Sequence, residues 1–217
     1  MEQLNHPVIV ERNALEPVIT FYVEPNNTSS EILELAKIPK AIYPNVVVII
    51  NGTALVNDGR MYLTTANSHL MVVDPMTGAE LWRYDHNFED VDLCCGPHNR
   101  GVALYEDMVF YGTLDAHLMA FDAATGTQLW DTEVGDNRES LSITGAPLVV
   151  KDIVLIGVGG GEFGIRGFID ADDVHTGELR WRVWTTAGED DPNNDTWLGE
   201  SWKTCGGPKW VTGNYDP

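Results

Sequence analysis

Basic residues are scarce: 13 Lys and Arg stand against 33 Asp and Glu in 217 residues, a formal net charge of −20. A surface so acidic repels phosphate backbones and anionic lipid, which argues against nucleic acid and membrane surfaces as partners. It suits a basic protein partner, a high-salt habitat or plain solubility. No run of about 18 apolar residues occurs, so no transmembrane helix is expected. Met1 to Asn13 carry neither a basic n-region nor an apolar core, so no secretory signal is visible in this chain. Cysteine is confined to Cys94, Cys95 and Cys205. An odd number builds no simple disulfide framework, and the absence of a CxxC pair removes the usual zinc signature.

What the sequence does have is a repeat. Asp-x-x-Thr-Gly-x-x-x-Trp occurs at Asp74 to Trp82, Asp122 to Trp130 and Asp173 to Trp181, with Trp-to-Trp spacings of 48 and 51 residues. That period fits one four-stranded propeller blade. Each copy has a physical reading. An apolar run such as Leu118-Met119-Ala120-Phe121 suits a buried strand. Asp and Thr-Gly make a tight turn in which Gly is free to take positive φ. The next strand carries a Trp able to pack between neighbouring blades. Ahead of each copy lies a hairpin pattern: Leu55 to Leu63 around Asp58-Gly59, Val102 to Phe110, and Leu148 to Ile156. The expected fold is all-β, a partial β-propeller of three to four blades over residues 46–217. Residues 1–45 form an atypical segment with a short helix expected where Thr28 and Glu31 make a capping box before Ile32 to Ala36. Gly188 to Asp195 reads as a polar loop without the spacing of an EF-hand.

Two local features stand outside the repeat. Cys94 and Cys95 are adjacent; spacing alone fits two buried free thiols or a strained disulfide between neighbours, a rare bridge that is usually functional. Gly157-Val158-Gly159-Gly160-Gly161-Glu162 would let backbone approach a flat ligand closely. Its one carboxylate, Glu162, fits a hard-cation ligand or a turn residue.

Taken together, Cys94-Cys95-Gly-Pro-His-Asn-Arg100, Gly112 to Asp122, Ala146 to Val150 and Gly159 to Gly167 resemble the quinoprotein methanol and alcohol dehydrogenases. The resemblance implies an eight-bladed propeller holding pyrroloquinoline quinone (PQQ) and a calcium or lanthanide ion. It implies that Cys94 and Cys95 bridge each other against one face of PQQ and that Trp210 stacks on the other. By the same resemblance Arg100 binds the quinone, Thr144 donates to a PQQ carboxylate, Gly160 and Gly161 contact the cofactor through backbone, and Glu162 ligates the metal. It further implies an alcohol substrate, a cytochrome c-type electron acceptor and a periplasmic location.

The match has gaps. Asn51 stands where the family usually has Glu or Gln, Ala54 where it has Pro, and Gly206-Gly207-Pro208 where it has three glycines, which predicts a displaced loop before Trp210. No residue matches the family's catalytic Asp base or its second metal ligand, an Asn; both would follow Pro217. The chain therefore reads as an N-terminal part of such an enzyme, inactive alone, with a second chain able to supply further blades. A non-catalytic propeller scaffold built on the same repeats is the competing reading. It has no need of Cys94-Cys95 or of the glycine run before Glu162.

Overall fold

The computed structural model describes residues 52–88, 91, 93, 96–189 and 191–216. The expected helix at Thr28 to Ala36, Asn51 and the Cys94-Cys95 pair lie outside them. Three four-stranded antiparallel sheets follow one another along the chain, each a meander of consecutive strands. The first holds β1 (Leu55–Asn57), β2 (Arg60–Thr64), β3 (Leu70–Val73) and β4 (Glu80–Tyr84). The second holds β5 (Ala103–Tyr105), β6 (Met108–Gly112), β7 (His117–Asp122) and β8 (Gln128–Glu133). The third holds β9 (Leu148–Val150), β10 (Ile153–Gly157), β11 (Phe168–Asp173) and β12 (Leu179–Trp184). These are three blades of a propeller, as the repeat predicts. Among the described residues no helix is long and apolar enough to cross a membrane.

The repeated motif does the same work in each blade. The Asp74 carboxylate accepts from the N–H groups of Met76 and Thr77, at 2.7 and 2.9 Å. Asp122 does so from Ala124 and Thr125, and Asp173 from His175 and Thr176. A register shift then falls between the last two residues before each Asp, at Val72/Val73, Ala120/Phe121 and Ala171/Asp172. Such bulges re-aim the strand that follows. That strand delivers its Trp to the next blade: Trp82 Nε1 donates to Ala123 O at 3.1 Å, and Trp130 Nε1 to Val174 O at 3.0 Å. The motif glycine has two reasons to be glycine. Gly126 takes φ 72°, and a Cβ on it would lie 2.7 Å from the ring of Trp82.

The apolar cores lie between the sheets. Tyr62, Leu70 and Val72 of the first blade pack on Val109, Tyr111, Met119 and Phe121 of the second. Phe110, Leu118 and Ala120 of the second pack on Val154, Ile156 and Phe168 of the third. Beyond the third sheet, Leu179, Trp181 and Val183 remain 50%, 43% and 54% exposed. All three expected hairpins form. Asp58-Gly59 carries the expected signature, whereas Glu106 (φ 51°) and Lys151 (φ 56°) take the left-handed conformation without glycine.

Candidate functional site

The segments just before the first strand of each sheet run side by side. Thr53 N–H donates to Arg100 O, and Arg100 N–H donates to Thr144 O, both at 3.1 Å. The segment carrying Trp210 continues the series: Lys209 N–H donates to Val158 O at 2.9 Å and Thr212 Oγ1 to Ala146 O at 3.0 Å. Residues scattered from 53 to 212 thus meet on one rim.

Arg100 is the centre of this rim. Its Nη1 donates to Thr144 O at 3.1 Å, and its guanidinium lies 4.7 Å from the centroid of the Trp210 ring. Cation–π contact stabilises the pair. No carboxylate among the described residues pairs with it. Burial pulls its pKa below the ordinary arginine value without neutralising it. A half-buried cation with no counter-charge among the described residues, in a chain of net charge −20, is a ready partner for an anionic or electron-rich ligand. Trp210 is 45% exposed, so part of its ring remains available for stacking.

Asn99 holds this arrangement, and sequence reading overlooked it. The residue is 1% exposed. Its Nδ2 donates to Gly112 O at 2.7 Å, and its Oδ1 accepts from Gly101 N–H at 3.1 Å. The backbone on both sides of Arg100 is thereby fixed to the second blade. The sequence offers only a polar residue between His98 and Arg100, which is too common a feature to single out.

The glycine run follows β10. Gly159 N–H donates to Ser142 O at 2.7 Å, tying the run to the segment of Thr144. Gly160 takes φ 109°, and a Cβ there would lie 2.2 Å from Ser140 O, so only glycine fits. The chain then makes a short 3₁₀ turn, Gly161–Phe163, that presents Glu162 to solvent. Among the described residues no group of three or more His, Cys, Asp or Glu side chains is placed to hold a metal. Glu162 therefore stands outside any such cluster of described residues.

The loop before Trp210 is anchored on both sides. Gly206 N–H donates to Ile165 O and Gly167 N–H to Gly206 O, each at 2.8 Å. Arg166 sits between the rings of Trp184 and Trp202, at 4.5 and 4.8 Å, and its Nη2 donates to Thr186 O at 2.6 Å. The structure thus brings together Arg100, Thr144, Gly160, Gly161 and Trp210 through one backbone network. Glu162 follows directly on it.

Residues 39–217 match the family described as PQQ glucose/ethanol/alcohol dehydrogenase, β-propeller domain. Quinoprotein alcohol dehydrogenase PedH of Pseudomonas putida is 41% identical over 180 residues, 75% of this chain and 30% of its own length. Quinohemoprotein alcohol dehydrogenase ADH IIB of Pseudomonas putida is 43% identical over 182 residues, 77% of this chain and 26% of its own length. Among solved structures, a europium-containing methanol dehydrogenase superposes with TM-score 0.69 at 35% identity, covering 76% of this chain and 33% of that one. The chain thus spans under a third of the length of the two curated relatives it matches.

Proposed function

The chain belongs to the family of PQQ-dependent glucose, ethanol and alcohol dehydrogenase propellers, and from that premise we propose that it forms one wall of a PQQ site for alcohol oxidation. The observation that carries the reading is Arg100: a half-buried guanidinium with no carboxylate partner among the described residues, pinned to Thr144 and stacked by Trp210. The donor set fits a flat polyanion. Arg100 offers charge and a planar fork, Trp210 an exposed part of an aromatic face, and the glycine run a backbone surface that side chains do not crowd.

Within this reading each residue has a task. Arg100 holds an electronegative edge of the ring system, and Thr144 supplies a hydroxyl to a carboxylate. Gly160 and Gly161 allow close backbone approach. Trp210 covers one face, while Cys94 and Cys95, as a vicinal disulfide, cover the other. Glu162 gives a calcium or lanthanide ion one oxygen, far short of the six to eight that calcium takes. Most of the metal's ligands must come from elsewhere, and Glu162 binds it only together with the cofactor. Bound PQQ would supply the quinone that accepts hydride from the alcohol carbon. Removal of the alcohol's proton needs a positioned base, and no described residue of this rim is matched to that role. A polypeptide of these 217 residues is therefore expected to bind without turning over. The other blades, a cytochrome c-type acceptor and a periplasmic setting complete the proposal.

The test is a PQQ titration of the chain with calcium or a light lanthanide, read by tryptophan quenching and calorimetry. We expect saturable binding that Glu162→Gln leaves intact without metal and weakens with it. Absence of saturable PQQ binding in the folded chain, or equal metal dependence in both proteins, would overturn the reading. The competing scaffold reading predicts that absence.

A further inference from the structure

In the second and third blades, alternate residues of the third strand face the blade before. In β7 these are Met119 and Phe121, both buried in the core shared with the first blade. The equivalent positions in β11, counted back from the motif Asp, are Asp170 and Asp172. Two carboxylates thus occupy a joint that the sister blade fills with sulfur and an aromatic ring. They are 2% and 1% exposed. Their strand partners, Ile156 and Val154, belong to the apolar core between the second and third blades.

One guanidinium acts on both carboxylates but bonds to that of Asp170 alone. Arg182 lies 3.6 Å over the ring of Phe168. Its Nε and Nη2 grip both oxygens of Asp170 at 2.6 Å, and Nη2 also donates to Val134 O of the second blade at 2.8 Å. Arg182 is thereby committed to Asp170 and to the neighbouring blade. Asp172 Oδ2, sealed from solvent, has no hydrogen-bond partner.

We propose that Asp172 is held as a neutral carboxylic acid in the joint between the second and third blades, and that its ionisation loosens that joint. A bare carboxylate cannot remain in an apolar layer without compensation, so it takes up a proton or draws in water. Burial and the charge of Asp170 push the Asp172 carboxyl up to about 7, with Arg182 pulling the other way. Asp170 and Arg182 are the charged groups that act on it from its own sheet. From the second blade, Trp130 and Tyr105 pack against the same core, and Tyr105 meets His175 edge-on at 6.2 Å.

The direction follows from linkage. The folded-state value lies above that of an ordinary aspartate, so the stability is present at low pH and is lost as pH rises through about 7. Ionisation of this one group should raise the unfolding constant about ten-fold between pH 6 and pH 8.

The experiment compares urea unfolding of the 217-residue chain with that of Asp172→Asn and Asp172→Phe at those two pH values. The phenylalanine variant installs the residue of the sister blade. The difference between wild type and either variant removes the histidines' contribution. Wild type should show about ten-fold more pH response than the variants. Infrared spectroscopy of the wild type at pH 6 should show a protonated-carboxyl stretch that fades by pH 8 and is missing from Asp172→Asn. This spectrum stands even if one variant does not fold. Equal pH responses, or no protonated-carboxyl band at pH 6, would overturn the proposal.

Discussion

The indole ring of Trp130 rests on the α-carbon of Gly177 in the next blade: a Cβ there would come within 2.7 Å of the ring. The same glycine takes φ 70°, and its carbonyl accepts from Thr132 Oγ1 at 2.8 Å. Turn geometry and blade docking thus converge on one residue. This explains why Thr-Gly recurs at a fixed distance ahead of each Trp.

Gly59 provides an internal control for that claim. It also has φ 70°, yet nothing lies within 4 Å of where its Cβ would stand. Gly59→Ala should cost about 1–2 kcal/mol, the penalty of a left-handed alanine. Gly177→Ala should add about 1–3 kcal/mol, because the Trp130 ring must also shift. Urea denaturation of the two variants measures the difference. Equal losses would show that the glycine serves the turn alone.

Acid should attack the motif turns before it attacks the cores. Backbone N–H groups hold the Asp74 carboxyl below the usual carboxylate range, and the Thr125 hydroxyl does the same for Asp122. The Arg180 guanidinium brings Asp173 down to about 2. Depressed folded-state values contribute stability above the unfolded value, and it is lost as pH falls through the folded one. Stability should therefore drop between about pH 4 and pH 2. Asp173→Asn, which cannot ionise, should be weaker at neutral pH but lose less across that window. Urea midpoints at the two pH values provide the check, and parallel losses would count against it.

These turns were legible in the sequence because their chemistry is local: Asp, Thr and Gly at fixed offsets leave the backbone few options. The blades were legible for the same reason, since each hairpin and each Trp recurs with its turn. The left-handed Glu106 and Lys151 were not, because each begins a two-residue hairpin loop, closed by Tyr105–Met108 and Val150–Ile153 pairing, that imposes positive φ on whatever residue stands there. The site was only half legible. Arg100, Thr144 and Trp210 were picked out by resemblance, and they do share one rim. Their actual linkage was hidden: the guanidinium on the Trp ring and Asn99 beneath it depend on segments more than 100 residues apart in places. Asp172 shows the opposite case. The carboxylate breaks an apolar pattern that its sister strand keeps, but the break has meaning only once the facing blade is known.

Arg100 allows stability and binding to be set against each other. A cation partly withdrawn from water, with no carboxylate partner among the described residues, loses in hydration about what its contact with Trp210 supplies. The backbone around it is held independently, by Arg100 N–H on Thr144 O and by the two Asn99 bonds. Arg100→Met keeps the aliphatic stem and removes the charge. It should leave the urea midpoint unchanged or raise it slightly. PQQ affinity should behave differently, since a hydrogen bond to a charged group is worth about 1.5–3 kcal/mol, or roughly 10–100-fold. Arg100→Lys keeps the charge but loses the planar fork and the stack on Trp210, so it should recover only part of that factor. Calorimetric titration with PQQ, run beside denaturation of the same three proteins, separates the possibilities. Lost stability with intact affinity would make Arg100 a structural strut. Lost affinity at unchanged stability is the result expected of a residue kept for its ligand.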